Sequence, residues 1–100
     1  MNPIKPTNFI GRNRFEGKSV LVTGGAAGMG LAAARMFAAE GARVSVIDIQ
    51  EEAGQAFVKE IESTGGQAFF ETANLADPGQ TNQALENVIK NVGVIDTLFN

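Results

Sequence analysis

The stretch Val20-Leu21-Val22-Thr23-Gly24-Gly25-Ala26-Ala27-Gly28-Met29-Gly30 carries a short apolar run straight into a glycine-rich turn. The run reads as a buried strand and the turn as the entry to a helix. A second apolar run follows and closes on an acid, Asp48. Strand, glycine turn, helix, strand and terminal acid form a dinucleotide-binding unit. The reason lies in what phosphates need. A helix N-terminus offers free backbone N–H groups and a partial positive charge. Side chains in front of those donors would hold a pyrophosphate away. Gly24 permits the sharp exit from the strand, and Gly28 and Gly30 let the backbone approach the phosphates and the helix pack on the sheet. Ala26 and Ala27 obstruct nothing. Thr23, Gly24, Ala27, Gly28, Met29 and Gly30 are the candidate cofactor-binding residues of the turn. A kinase-type phosphate loop fits poorly, because it ends in Gly-Lys-Ser/Thr and this turn has no lysine.

Asp48 stands 24 positions after Gly24, close to the spacing of a ribose-binding acid. A carboxylate there accepts hydrogen bonds from both ribose hydroxyls. A 2′-phosphate would meet it as a like charge. At ~4 Å and an effective dielectric of ~20, that repulsion reaches ~4 kcal/mol as an upper figure. No Arg or Lys occupies positions 25–27 or 49–52 to offset it. The expected cofactor is NAD in preference to NADP.

Outward from the turn, the pattern is regular. Strands are predicted over 18–23, 42–48, 67–72 and 94–99. A helix over 28–40 is rich in Ala32, Ala33, Ala34 and Ala38, strong helix formers whose small side chains let a helix lie close to a sheet. Gly41 stops it. A second helix over 51–64 places Ala53, Ala56, Phe57 and Ile61 on one face, with Glu51 and Glu52 favourably placed in its first turn. Gly65-Gly66 ends it. A third helix opens at Pro78 with Asp77 as its cap, carries an apolar stripe of Leu85, Val88, Ile89 and Val92, and stops at Gly93. The order β-α-β-α-β-α-β implies parallel pairing and right-handed crossovers. The predicted fold class is α/β: an incomplete Rossmann-type parallel sheet with helices on both faces and strand order 3-2-1-4.

Residues 1–14 hold two prolines and three basic residues and read as an irregular N-terminal arm, leaving 15–100 as the nucleotide-binding unit. The net charge of −3 argues against nucleic acid or an anionic membrane as the main partner. Zero Cys removes disulfides and thiolate zinc sites, and zero His removes the commonest base and metal ligand. No metal site is expected. The first residues lack a secretory signal pattern, and no apolar run is long enough to span a membrane. A cytoplasmic location is the expectation.

Thr23-Gly24-xxx-Gly28-x-Gly30, with Phe15-Glu16-Gly17-Lys18 leading into the first strand, closely resembles the classical short-chain dehydrogenase/reductase (SDR) family over residues 15–100. It does not match the Gly-x-Gly-x-x-Gly of medium-chain dehydrogenases. The resemblance implies that Asp48 is the NAD-selecting acid and that Ile49 lies against the adenine. It places Asn74 and Leu75 at the adenine edge, where the family has an Asp-Val or Asp-Leu pair. An asparagine in that place is a departure. Asp96-Thr97-Leu98-Phe99-Asn100 looks like the fourth strand running into the family's Asn-Asn-Ala-Gly element, with Asn100 its first residue. The family's catalytic tyrosine, lysine and serine lie further on. These residues contain no tyrosine, so no catalytic residue is assigned.

Two readings follow. In the first, the chain is the NAD-binding portion of an oxidoreductase that transfers a hydride between NAD and an alcohol or carbonyl substrate, is inactive alone, and forms homo-oligomers only as part of the complete enzyme. In the second, it is a stand-alone, non-catalytic nucleotide-binding or interaction module. An apolar fourth strand with Val94, Ile95, Leu98 and Phe99 as an unpaired edge favours the first. A nucleotide-fold methyltransferase fits less well, since its glycine motif has different spacing.

Overall fold

A computed structural model describes residues 14–100, so the expected arm lies outside the described residues except for Arg14. The elements are β1 (Ser19–Thr23), α1 (Gly28–Ala39), β2 (Arg43–Asp48), α2 (Glu51–Ser63), β3 (Gln67–Thr72), α3 (Pro78–Val92) and β4 (Thr97–Phe99). The four strands form one sheet in the order β3-β2-β1-β4, with every neighbouring pair parallel. The predicted topology is the observed one. Val20 pairs with Val44 and with Thr97, and Val44 pairs with Ala68, which fixes the register across the sheet.

The alternation of side chains along each strand divides the core in two. Val20, Val22, Val44, Val46 and Ala68 face α1 and α2, where they meet Ala34, Phe57 and Ile61. Leu21 and Ile47 face α3 and meet Ala84, Val88 and Val92. Helices therefore cover both faces. Burying a side chain the size of Phe57 or Ile47 contributes about 1.5–3 kcal/mol.

Glycines end the helices as expected. Gly41, Gly65 and Gly93 all have positive φ, at 91°, 86° and 79°. Asp77 caps α3 by accepting from the backbone N–H groups of Gly79 and Gln80, with Pro78 in the first turn. The helix faces differ from the prediction. On α2, Ala56 is exposed and Gly54 is buried instead. A Cβ on Gly54 would stand 2.1 Å from Phe70 Cε1, so the absent side chain lets the Phe70 ring lie against the helix. On α3, Ile89 is half exposed and Ala84 takes the buried position. Periodicity weighted by hydrophobicity misses faces built from small residues.

The fourth strand is also shorter than predicted. It spans Thr97–Phe99 rather than 94–99. Residues 94–96 carry the chain from Gly93 to the sheet. There Asp96 N donates to Ser19 O at 2.9 Å, and Ser19 N donates to Asp96 Oδ2 at 2.8 Å. These two bonds replace strand pairing at the start of β1. Val94 and Leu98 are exposed, whereas Phe99 packs on the core and contacts the Phe37 ring edge-on. Among the described residues, no helix is long and apolar enough to cross a membrane.

Candidate functional site

All the candidate residues named from the sequence lie at the C-terminal edge of the sheet or in the turns that leave it. The turn between β1 and α1 has two glycines in the left-handed region, Gly24 at φ 68° and Gly28 at φ 58°. A Cβ at either would meet nothing within 4 Å. Their need for glycine is conformational, and the space before them is open. Gly24 N donates to Ile47 O at 2.8 Å, which ties the turn to the end of β2.

Gly25 and Gly30 are glycine for a different reason. A Cβ on Gly30 would lie 2.3 Å from the Gly24 carbonyl oxygen. The start of α1 thus packs directly on the turn, where the sequence reading gave Gly30 contact with phosphate and sheet. A Cβ on Gly25 would stand 2.9 Å from Val22 Cγ1 and 3.0 Å from Val46 Cγ1. Gly25 was not among the predicted site residues. The signal was present in the β-branched neighbours beneath it.

Ala27 adopts extended backbone at the N-cap of α1 and offers no side-chain cap. The first helical bond there is Leu31 N to Ala27 O at 3.2 Å, so the N–H groups of Gly28, Met29 and Gly30 precede the helical ladder. The first turn carries no acid. Met29 is 83% exposed at the rim.

Asp48 joins the turn to the second strand end. It is 7% exposed, and both carboxylate oxygens accept backbone bonds. Ala26 N donates to Oδ2 at 3.1 Å and Gln50 N to Oδ1 at 2.9 Å. Its carbonyl accepts from Ala73 N at 3.1 Å. Ala26 and Gln50 were missed because they contribute only backbone N–H groups. Ile49 and Leu75 are exposed apolar residues on the turns after β2 and β3. Asn74 makes an Asx turn, its Oδ1 accepting from Ala76 N at 3.0 Å, while its N–H donates to Gln80 Oε1 at 2.9 Å. Thr23 Oγ1 donates to Asn100 Oδ1, which brings the ends of β1 and β4 together.

The cradle fits a dinucleotide. Its donors are backbone groups, its glycines leave room before them, and a carboxylate held by the turn itself stands at the next strand end. Among the described residues, no cluster of His, Cys, Asp or Glu could hold a metal ion. Turn, acid and strand order together define a Rossmann-type α/β unit with these residues at its switch point.

The family model for short chain dehydrogenases matches residues 18–100. The chain belongs to that family, whose members are oxidoreductases that bind nicotinamide cofactors. It is 41% identical over 88 residues to 2,5-dichloro-2,5-cyclohexadiene-1,4-diol dehydrogenase LinX of Sphingobium indicum, covering 88% of this chain and 35% of that protein. Among solved structures, hydroxysteroid dehydrogenase from Escherichia coli aligns with TM-score 0.82 and 34% identity, over 88% of this chain and 37% of that one. A blue fluorescent protein from a metagenomic library, in complex with NADPH, aligns with TM-score 0.80 and 37% identity, over 84% and 35%. The chain spans about a third of the length of the curated relatives it matches.

Proposed function

We propose that this chain is the cofactor-binding portion of an NAD-dependent short-chain oxidoreductase. The bond from Ala26 N to Asp48 Oδ2 carries the reading, because it holds a carboxylate against the glycine turn, as a ribose acceptor beside a phosphate cradle would need to be. In this role the N–H groups of Gly28, Met29 and Gly30 bind the pyrophosphate. Thr23, Gly24 and Ala27 shape the cradle, and Asp48 accepts from the adenosine ribose. Ile49 and Leu75 flank the base, with Asn74 at its edge. Asn100, held by Thr23, stands beside the switch point on the nicotinamide side. When bound, the nicotinamide gives or takes a hydride.

NAD is the preferred cofactor in this reading. Both Asp48 oxygens are held by backbone N–H groups, which fixes the negative charge where a 2′-phosphate would sit. The solved neighbour bound to NADPH makes the preference a property to measure on this chain. The dehydrogenase names of the relatives support an alcohol or carbonyl substrate for the whole enzyme. The general acid, its pKa-lowering partner and the substrate-binding residues belong to other parts of such an enzyme, because these residues include no tyrosine. Alone, the chain binds cofactor without turnover. A cytoplasmic location and homo-oligomers of the whole enzyme complete the proposal.

Titration with NADH and NADPH, followed by calorimetry and thermal shift, tests it. Tighter NADH binding is the expected outcome. Tighter NADPH binding would overturn the preference, and no binding of either by folded protein would overturn the reading.

A further inference from the structure

The three strand ends fix a direction across the site. The glycine turn follows β1, Asp48 ends β2, and Asn74 lies two residues past Thr72, the register partner of Asp48 on β3. A nucleotide with phosphate on the turn and ribose on Asp48 must therefore send its base toward β3. Exposed Ile49 and Leu75 offer apolar contact on that path. Asn74 is exposed there and sets the polarity that the base edge meets.

That polarity is settled by the turn. Ala76 N is a donor, so the atom of Asn74 that it reaches at 3.0 Å is the carbonyl oxygen. One lone pair of that oxygen is engaged in the turn, and the Nδ2 donor has no partner among the described residues. We infer that Asn74 presents a hydrogen-bond donor to the base and makes this site tolerant of a 6-oxo purine in place of adenine. Adenine carries an amino donor at C6 but an acceptor at the neighbouring ring nitrogen N1, which Nδ2 can satisfy. Hypoxanthine carries a carbonyl acceptor at C6, which Nδ2 satisfies. An aspartate at the same position would keep the Asx turn through one oxygen and turn the other, an acceptor, toward the base. The change from Asn to Asp thus removes the donor that a 6-oxo group needs while the backbone stays as it is.

The inference rests on the proposed cofactor site, and the experiment separates the two. The full chain and its Asn74→Asp variant are titrated with NADH and with the reduced nicotinamide hypoxanthine dinucleotide. A thermal melt confirms that both are folded. Wild type is expected to bind the two within about threefold of each other, and N74D to move the ratio toward adenine by about tenfold, the worth of one hydrogen bond exchanged for a mismatch. An unchanged ratio in N74D, or an adenine preference of about tenfold or more in wild type, overturns the role of Asn74. Failure of both dinucleotides to bind folded wild type overturns the cofactor site itself. Asp48→Ala weakening both ligands alike supports that site independently of Asn74.

Discussion

The backbone N–H of Ala26 reaches Asp48 Oδ2 at 3.1 Å, across 22 residues of sequence. The bond links the glycine turn to the end of the second strand, so in the proposed site one carboxylate serves two tasks. It stabilises the turn by accepting from backbone groups, and its remaining lone pairs stay available to a ligand. Under the proposed function, cofactor preference and turn stability are therefore coupled at one side chain.

Replacing Asp48 by Asn tests that coupling. The variant loses the charge and substitutes a donor for one acceptor, so either Ala26 N–H or Gln50 N–H loses its partner. Charge-assisted bonds contribute about 1.5–3 kcal/mol, and a loss of that size lowers Tm by at least about 5 °C in a chain of this length. NADH affinity should drop about tenfold while the NADPH-to-NADH affinity ratio rises. Parallel titrations and melts of both chains read this out. A variant with unchanged Tm and an unchanged ratio would show that Asp48 does neither task.

Gly30→Ala should be more damaging than Gly28→Ala, although Gly28 has the unusual backbone. At Gly28 the added methyl meets open space and the cost is backbone strain, about 1–2 kcal/mol. At Gly30 it meets the Gly24 carbonyl oxygen at 2.3 Å, and a backbone oxygen cannot move without opening the turn. Thermal melts should place G30A below G28A, and G30A should bind NADH least. The opposite order would mean that positive φ, not close packing, holds the turn.

These contrasts show what was legible in the sequence. The strand order, the glycine turn and Asp48 could be read because each rests on residue type and spacing. Gly24 and Gly28 were legible for the same reason, since positive φ selects glycine locally. The reason for Gly30 was not, because it depends on a carbonyl six residues away that only the folded turn brings close. Ala26 and Gln50 act through N–H groups that every non-proline residue owns, so their identity carries no signal. The short fourth strand was hidden by Val94 and Ile95, whose apolar character reads as strand although the chain there is crossing toward Asp96.

Asp96 supplies a third test. Ser19 N is buried and its acceptor is Asp96 Oδ2 at 2.8 Å. Asp96→Ala strands that donor at the start of β1, which costs about 1–3 kcal/mol. Asp96→Asn keeps an oxygen in place and should recover most of the loss. Urea melts of the three chains at one pH provide the comparison, and equal midpoints for D96A and wild type would refute the clamp.

The Arg35–Glu60 pair between α1 and α2 makes stability depend on pH in a defined direction. Arg35 Nε and its neighbouring nitrogen each reach a Glu60 oxygen at 2.8 Å. The hydrogen bonds and charge of Arg35 hold the Glu60 carboxyl below its usual range. A group depressed on folding stabilises above its unfolded pKa, and that contribution disappears as pH falls through the folded value. Both side chains are largely exposed, so the effect is small and screened by salt. The Tm difference between wild type and Glu60→Gln should be present at neutral pH, shrink below pH ~4 and narrow in high salt. A difference that grows on acidification would reverse the assignment.

The contact between Gly54 and Phe70 can be tested through its non-additivity. A methyl on Gly54 would lie 2.1–2.4 Å from three atoms of the Phe70 ring, so Gly54→Ala must displace the ring or tilt α2. Overpacking of this kind costs about 1–3 kcal/mol. The alanine also brings a helix-propensity gain of about 1 kcal/mol, so the net loss is the difference between the two opposed effects. Phe70→Ala removes a half-buried ring and destabilises by itself. In the double variant the methyl no longer meets a ring, and only the propensity gain remains from Gly54→Ala. Gly54→Ala should therefore destabilise wild type and stabilise the Phe70→Ala background, with a coupling of about 1–3 kcal/mol in a double-mutant cycle. Denaturant melts of the four chains measure it. Additive effects would mean that the small residue at Gly54 answers to something other than the ring of Phe70.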